Sequence, residues 1–318
     1  MKQTPRASDP STTVPVETKN PQTEPSKVAK PAPARINRAQ QARIEKFWKV
    51  VLFILLCLGS IVFLIPFWVT LMMSLKSTAD IAGTPLWSWP TEPSLQNYVK
   101  VLTNENAPFL LFFRNTTVIA VLSTVGVLIT SALAAYAFAR LNFRGRDGLF
   151  IVLLATMMLP GIVTMIPTYV MYKYLSWVDS FLPLWVPAWF GGGAFNIFLL
   201  RQFYMGIPRE LDEAAVIDGA SHATIFWRII MPLSGPALAT VGIFALIYNW
   251  RDFMGPLLYL NDPKKQTLEL GLRTYQTLNS AQWDLLMAAS ILVLIPLVIL
   301  FVVGQKFFVR GIVMTGGK

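Results

Sequence analysis

Charge is scarce in this sequence: 14% of its residues are Asp, Glu, Lys or Arg and 54% are apolar, whereas about a quarter of a soluble domain is charged. That balance excludes an ordinary soluble domain and places the chain in lipid. Cysteine is nearly absent. The single Cys57 cannot build a disulfide framework, and inside an apolar run it reads as a buried packing residue. His222 is the only histidine, and with no Cys or second His nearby it cannot assemble a zinc site. It reads as an exposed residue at a helix start. A phosphate loop is missing as well, because the Gly-rich end Gly311-Ile312-Val313-Met314-Thr315-Gly316-Gly317-Lys318 has Gly317 where the loop's lysine would stand. The expectation is a chain with no catalytic residue, cofactor or metal of its own. No aromatic-studded basic surface exists, which excludes nucleic acid as a partner. Ionisable residues are also missing from the middles of the apolar runs, which argues against an ion-coupled secondary transporter.

What is present is apolar length. Runs with little or no charge predict helices at about 50–75, 112–139, 148–172, 181–203, 234–260 and 284–305, each matching the roughly 20 residues needed to cross a bilayer. The predicted fold class is an all-α membrane protein with six transmembrane helices. The first run follows a charged tail and is too long for a cleavable signal, so it is expected to act as its own retained targeting signal.

Lys and Arg set the orientation. With the N-terminus inside, the tail, the 140–147 loop, the 201–228 loop and the C-terminus hold 19 of the 27 Lys+Arg, and the other side holds 8 against 8 Asp+Glu. All of the net +10 then lies on the cytoplasmic side, with both termini. Residues 1–45 are a different material, with seven prolines and no aromatic residue. They are expected to be a disordered cytoplasmic tail, and 46–318 the transmembrane domain. Two readings fit the end of the tail: a helical stretch over 34–49 leaning on anionic headgroups through Arg35, Arg38, Arg43, Lys46 and Lys49, or a solvated leader.

One cytoplasmic segment carries local structure of its own. Pro208 supplies a pre-set φ, and Glu210, Asp212 and Glu213 place three carboxylates on the first turn of a short helix, where free N–H groups favour negative charge. Gly219 ends that helix as a left-handed residue. Ser221 caps a second helix whose Ile225, Phe226, Ile229 and Ile230 share a face, until Pro232 forbids further hydrogen bonding. The product is a helix–Gly–helix knob between two membrane-crossing segments.

The run Glu213-Ala214-Ala215-Val216-Ile217-Asp218-Gly219-Ala220, followed by Ile229-Ile230-Met231-Pro232, resembles the EAA loop of binding-protein-dependent ABC importers, whose consensus has Leu at the position of Met231. Phe198-Leu199-Leu200-Arg201-Gln202-Phe203, Ala134-Ala135-Tyr136-Ala137-Phe138-Ala139-Arg140, Asn249-Trp250-Arg251-Asp252-Phe253 and Gly255-Pro256-Leu257 are similar to the carbohydrate-type permeases, specifically the maltose-type G subunit. The resemblance runs from about Phe47 to near the C-terminus. It implies a cell-membrane permease subunit for sugar import, with these partners: a second, different permease, two cytoplasmic ATPase subunits that bind the ATP and Mg, and an external solute-binding protein. It also implies that the EAA loop is a cytoplasmic coupling helix, with Glu213, Ala214, Ala215, Asp218, Gly219, Ala220, Phe226, Ile229 and Pro232 coupling to the ATPase. The alternatives are a permease of the same class for a non-sugar solute, or a membrane scaffold without transport.

Irregular residues mark where a pathway would lie. Pro160 and Pro167 interrupt the third run, Pro183 and Pro187 open the fourth, and Gly191, Gly192, Gly193 and Asn196 fall at its middle. Weakened backbone at membrane depth survives where protein or a water-filled cavity satisfies it. Two readings of Gly191–Gly193 and Asn196 therefore stand: pathway lining, or a close helix approach with Asn196 bonding a neighbour. Arg251 and Asp252 are expected to end the fifth helix near the outer surface. Trp87, Trp89, Trp177, Trp185, Trp189 and Trp283 are expected to form an interfacial belt.

Overall fold

The computed structural model describes residues 38–276 and 282–315. The chain divides into two compact units, Met1–Ile61 and Val62–Lys318. In the first unit the described part is the leading portion of helix α1 (Arg38–Ser74). Most of the expected tail lies outside the described residues, and its last residues, from Arg38, are helical. Cys57 is exposed, contrary to the expectation of burial. Among the described residues of its unit, this helix is the one element present.

The second unit is helical throughout its regular segments. Before the long α4 (Phe109–Arg140) come the short α2 (Thr78–Gly83) and α3 (Gln96–Thr103). After α4 come α5 (Arg146–Thr156), α6 (Gly161–Tyr174), α7 (Leu182–Trp185), a 3-10 turn (Val186–Trp189) and α8 (Ala194–Met205). The knob follows, with α9 (Glu210–Ile217), α10 (His222–Ile225), a π-helical turn (Phe226–Ile230) and α11 (Met231–Leu233). Beyond it are α12 (Gly235–Trp250), α13 (Met254–Tyr259), α14 (Leu268–Gly271) and α15 (Trp283–Thr315). The Gly-rich end is thus helical through Thr315, and the residues after it lie outside the described ones.

Among the described residues four helical stretches are long and apolar enough to cross a membrane singly, and the number rises to six if each of two bent pairs is one span. The third predicted helix is one of those pairs: α5 and α6 meet at 95° across a break that ends at Pro160. Proline has no N–H to donate and its ring crowds the preceding turn, so the chain changes direction there. Pro167, by contrast, is carried inside α6. The fourth predicted helix is also divided, into α7, the 3-10 turn and α8, because Gly193 adopts φ +81°. The fifth stops at Trp250, where Arg251 and Asp252 were expected to end it and short of the apolar run's bound near 260, and restarts as α13 after Arg251-Asp252-Phe253. Pro232 does not end the second knob helix as expected. The π turn ahead of it bonds Met231 N–H to Phe226 O, and the helix runs on to Leu233. The 79° bend comes at the next residue, Ser234, between the helices 222–233 and α12.

The helix α4 packs against both α8 and α12, and α12 against α15. Toward the knob, Ala132, Ala135 and Tyr136 of α4 meet Leu200, Phe226 and Val241 in one buried cluster. Toward the other end, Phe112 and Ala120 join Trp250, Leu268 and Ala289 in a second. Small residues let the backbones approach closely in a medium that gives helix pairs no hydrophobic drive.

Along the same helix runs a polar stripe. Asn115 Nδ2 donates to Lys264 O and Gln266 O at 2.9 and 3.0 Å, and Thr116 Oγ1 accepts from Leu268 N–H at 2.8 Å. Further along, Ser123 Oγ donates to Leu184 O (3.1 Å), Thr130 Oγ1 to Ala188 O (3.1 Å) and Ser131 Oγ to Gly192 O (2.9 Å). Thr116, Ser123 and Thr130 stand seven residues apart and so share a helix face. The broken α7–α8 segment owes its survival to this stripe, which binds carbonyls that an unbroken helix would have paired internally.

Candidate functional site

The knob is built as its residues dictate. Three carboxylates occupy the first turn of α9, and Gly219 follows the helix with φ +81°. Gly219 N–H bonds Val216 O at 3.0 Å and Ala220 N–H bonds Ala215 O at 2.9 Å, the paired bonds of a Schellman closure. Ser221 Oγ accepts from Thr224 N–H at 3.2 Å and opens the second helix. Glu213, Ala214, Asp218 and Gly219 are exposed, as is Pro232, and Ala215 and Ala220 are half-buried. Phe226 is only 3% exposed and packs on Tyr136, ring centroids 5.2 Å apart, while Ile229 leans on the same cluster. Phe226 therefore roots the knob in its own chain, and half-buried Ile229 packs on the same cluster. His222 is exposed at the start of α10, and its carbonyl accepts from Tyr136 Oη at 3.3 Å.

Two features of the knob escaped the sequence reading. Ile217 is 86% exposed, and Val216 and Leu211 are exposed beside it, so the tip is apolar. At its base Arg140, 3% exposed, donates through Nη2 to Tyr204 O (2.6 Å) and Ile207 O (2.7 Å). Its Nη1 lies 3.3 Å from Asp212 Oδ2. In the sequence Arg140 stands as a basic residue of the 140–147 loop and as the end of the Ala134–Arg140 motif. Its planar fork in fact joins the end of α4, the end of α8 and the start of α9. The signal available in sequence was an Arg closing a long apolar helix, which says nothing of its partner.

A second candidate site is a cavity of about 590 Å3 between the ends of α6, α7, α8, α12 and α13. Gly191, Gly192, Gly193 and Asn196 all line it, together with Asn249 and Asp252. Both readings of the glycine run have a counterpart here. A Cβ on Gly192 would lie 2.6 Å from Ser131 N, so that glycine permits close approach to α4, whereas a Cβ on Gly191 would meet nothing within 4 Å. Among the described residues, Asn196 Nδ2 bonds Gly192 O, in its own segment, at 2.8 Å. Asp252, expected near the outer surface as a helix terminus, lines this cavity. Its Oδ1 accepts from Gly255 N–H at 3.0 Å, in the first turn of α13. Trp189 fills the notch left by Gly126 midway along α4 and donates Nε1 to Leu122 O at 3.1 Å.

The cavity wall is braced from outside by Asp179, itself in a left-handed conformation with φ +60°. Its N–H bonds Tyr259 O at 2.7 Å, its Oδ1 accepts from Asn261 and Asp262 N–H at 3.0 Å each, and Lys265 Nζ sits 2.9 Å from Oδ2. The two backbone donors and the ammonium hold this carboxyl down, from an ordinary 3.8 to about 2.

Comparison with known proteins bears on both sites. The family model described as binding-protein-dependent transport system inner membrane component matches residues 126–314, which contain the knob and the cavity. The trehalose/maltose transport system permease protein MalG of Thermococcus litoralis is 32% identical over 271 residues, 85% of this chain and 97% of that one. The sn-glycerol-3-phosphate transport system permease protein UgpE of Yersinia pestis is 35% identical over 266 residues, covering 82% of this chain and 94% of that one. Among solved structures, a chain of a bacterial ABC transporter involved in the import of the acidic polysaccharide alginate aligns with a TM-score of 0.74 and 26% identity. That alignment covers 84% of this chain and 98% of the other.

Proposed function

The chain belongs to the family of binding-protein-dependent transport system inner membrane components, and from that premise we propose that it forms one half of a sugar-import pathway driven by partner ATPases. It is an integral membrane permease subunit and not an enzyme. Hydrolysis of ATP, with its Mg, belongs to two cytoplasmic ATPase subunits. A second permease of different sequence completes the pathway, and an external solute-binding protein delivers the sugar. Support for the sugar comes from the relatives, among them a permease named for trehalose and maltose. Support for the delivering protein comes from a distant structure of an alginate transporter solved with its periplasmic binding protein, alike in fold. Six crossings, with both termini and the knob on the cytoplasmic side, agree with the Lys/Arg distribution.

One observation carries the coupling reading: an exposed apolar tip on a rigid two-helix knob that Arg140 ties directly to the helix behind the cavity. Closure of the ATPase dimer moves the knob, and Arg140 and Asp212 pass that movement to α4. Because packed helices hold discrete arrangements, the shift switches the cavity between its two exposures. ATP drives the change only through its preference for the closed dimer. Glu213 makes the polar contact at the ATPase, Ala214 and Ala215 allow close approach, and Ile217 and Val216 fill the receiving cleft.

The test is ATPase stimulation by loaded binding protein in proteoliposomes, compared with uptake of labelled solute. An Ile217→Asp variant is expected to lose both, since it places a charge in the apolar contact. Full stimulation in that variant would remove the knob from the coupling path.

A further inference from the structure

Helix α1 is longer than a bilayer requires. At about 1.5 Å per residue its 37 residues extend about 55 Å, against a hydrocarbon core of about 30 Å. Much of the excess lies at its start, because the uncharged run begins at Val50 while the helix already runs from Arg38. Arg43, Lys46 and Lys49 stand on that extension at successive three-residue steps, neighbours along one side of the helix. All three are exposed. Among the described residues the ion pairs are Arg140–Asp212, Arg146–Asp147 and Lys265–Asp179, so none of these three cations has an anionic partner. Glu45, the one acidic residue between Arg38 and Lys49, is exposed and likewise unpaired. Like charges at this spacing repel and weaken a helix, so counter-charge from outside the chain stabilises the extension.

The position of the three cations says where that counter-charge lies. Lys49 adjoins the apolar boundary, and Arg43 is about 10 Å further out along the helix axis. A headgroup layer is roughly 5–8 Å deep, and Lys and Arg stems lie back along apolar surface while their charged ends reach water and headgroups. All three charges therefore fall in that layer or within the screening length of about 8 Å beyond it. Trp48, 57% exposed, stands at the level where an indole ring sits between acyl chains and headgroups. A soluble polyanion would have to approach the same bilayer surface, whose own negative charge repels it. We propose that the Arg43–Lys46–Lys49 side of α1 is a docking surface for anionic phospholipid, whose phosphates neutralise this stripe and hold the extension against the leaflet from which α1 enters the membrane.

The experiment uses the intact transporter, with its co-purified subunits, in lipid nanodiscs. Cys57→Ser removes the native thiol, and Glu45→Cys carries a fluorescent dye beside the basic stripe. The acid is then absent from both members of the comparison, so only the three cations differ. Quenching by acrylamide, which is neutral and water-soluble, reports how far the dye is exposed. Each basic residue near an anionic surface favours contact about fivefold. Replacing one third of the phosphatidylcholine by phosphatidylglycerol is expected to lower quenching about fivefold, and high salt to restore it. The Arg43→Gln, Lys46→Gln, Lys49→Gln triple variant is expected to quench equally in both lipids. Equal quenching of the parent in the two lipids overturns the proposal. A dye already shielded in phosphatidylcholine alone assigns this side of α1 to a partner subunit instead, and a phosphatidylglycerol effect that survives in the triple variant overturns the role of the three cations. No transport enters the readout, so the result is independent of the importer reading.

Discussion

At Gly219 the backbone stands at φ +81°, and a Cβ built there would meet nothing within 4 Å. Any cost of substitution is therefore conformational, about 1–2 kcal/mol for an L residue in the left-handed region. A graded series is expected: Gly219→Asn mild, Gly219→Ala intermediate and Gly219→Val most damaging to stimulated ATPase, with Asn spared because its short amide suits that region. Equal loss across the three would show that volume, not φ, matters at this turn. Gly192 is the opposite case. Its φ lies outside the left-handed region but its space is closed by Ser131, so Gly192→Ala should lower the Tm by an amount corresponding to about 1–3 kcal/mol, while Gly191→Ala should leave it unchanged. Asp179 adds a pH signature. Its folded pKa lies below the unfolded value, so its contribution is fully present above about 3.8 and is lost as pH falls toward about 2. Asp179→Asn keeps an acceptor for the two N–H groups but drops the ion pair with Lys265. The Tm gap between wild type and this variant should be open at pH 6 and close across that acid window.

At the scale of elements, α4 decides most of the architecture. Its polar side chains hold the α7–α8 break at one level, and its last residue holds the knob at another. Arg140 makes three contacts in one plane, which a lysine ammonium cannot reproduce. Arg140→Lys is expected to reduce the ratio of stimulated to unstimulated ATPase roughly tenfold, and Arg140→Met to destabilise the fold by about 3 kcal/mol by leaving two carbonyls and Asp212 without a donor. Because Arg140 is buried, it has no surface to offer an ATPase. Normal stimulation in Arg140→Lys would mean that movement reaches α4 by another route. The π turn at Phe226–Ile230 belongs to the same hinge: it shifts the bonding register ahead of Pro232 and lets the bend fall at Ser234, whose Oγ donates to Ile230 O at 2.6 Å.

For the whole molecule the open variable is which face meets the cytoplasm. With Cys57 replaced, single cysteines at Arg144 and Lys264, both exposed, report on opposite sides of the membrane. A membrane-impermeant thiol reagent added to intact cells should label Lys264→Cys and spare Arg144→Cys. The reverse pattern would put the knob outside, where no ATPase could meet it. The neighbouring Thr267 is unsuitable for this assay, being buried behind the loop that Asn115 holds.

The sequence by itself determined the medium, the approximate helical runs and the local form of the knob. Each follows from short-range physics: apolar length for a bilayer, three carboxylates and Pro208 for a helix start, and Gly219 for a left-handed stop. It also located the irregular backbone, since proline and glycine act within one turn of themselves. Where those breaks would fall was less legible, as Pro160 turned the chain and Pro167 did not, because neighbouring packing and not the residue alone decides whether a lost hydrogen bond becomes a bend. Only the tertiary structure showed what satisfied the breaks. The donors on Asn115, Ser123, Thr130 and Ser131 reach carbonyls that lie dozens of residues away or more, Arg140 finds Asp212 at the foot of another helix, and Asp252, just past the end of α12, lines a cavity. Such pairings depend on distances across the fold, and periodicity along a single chain carries no information about them.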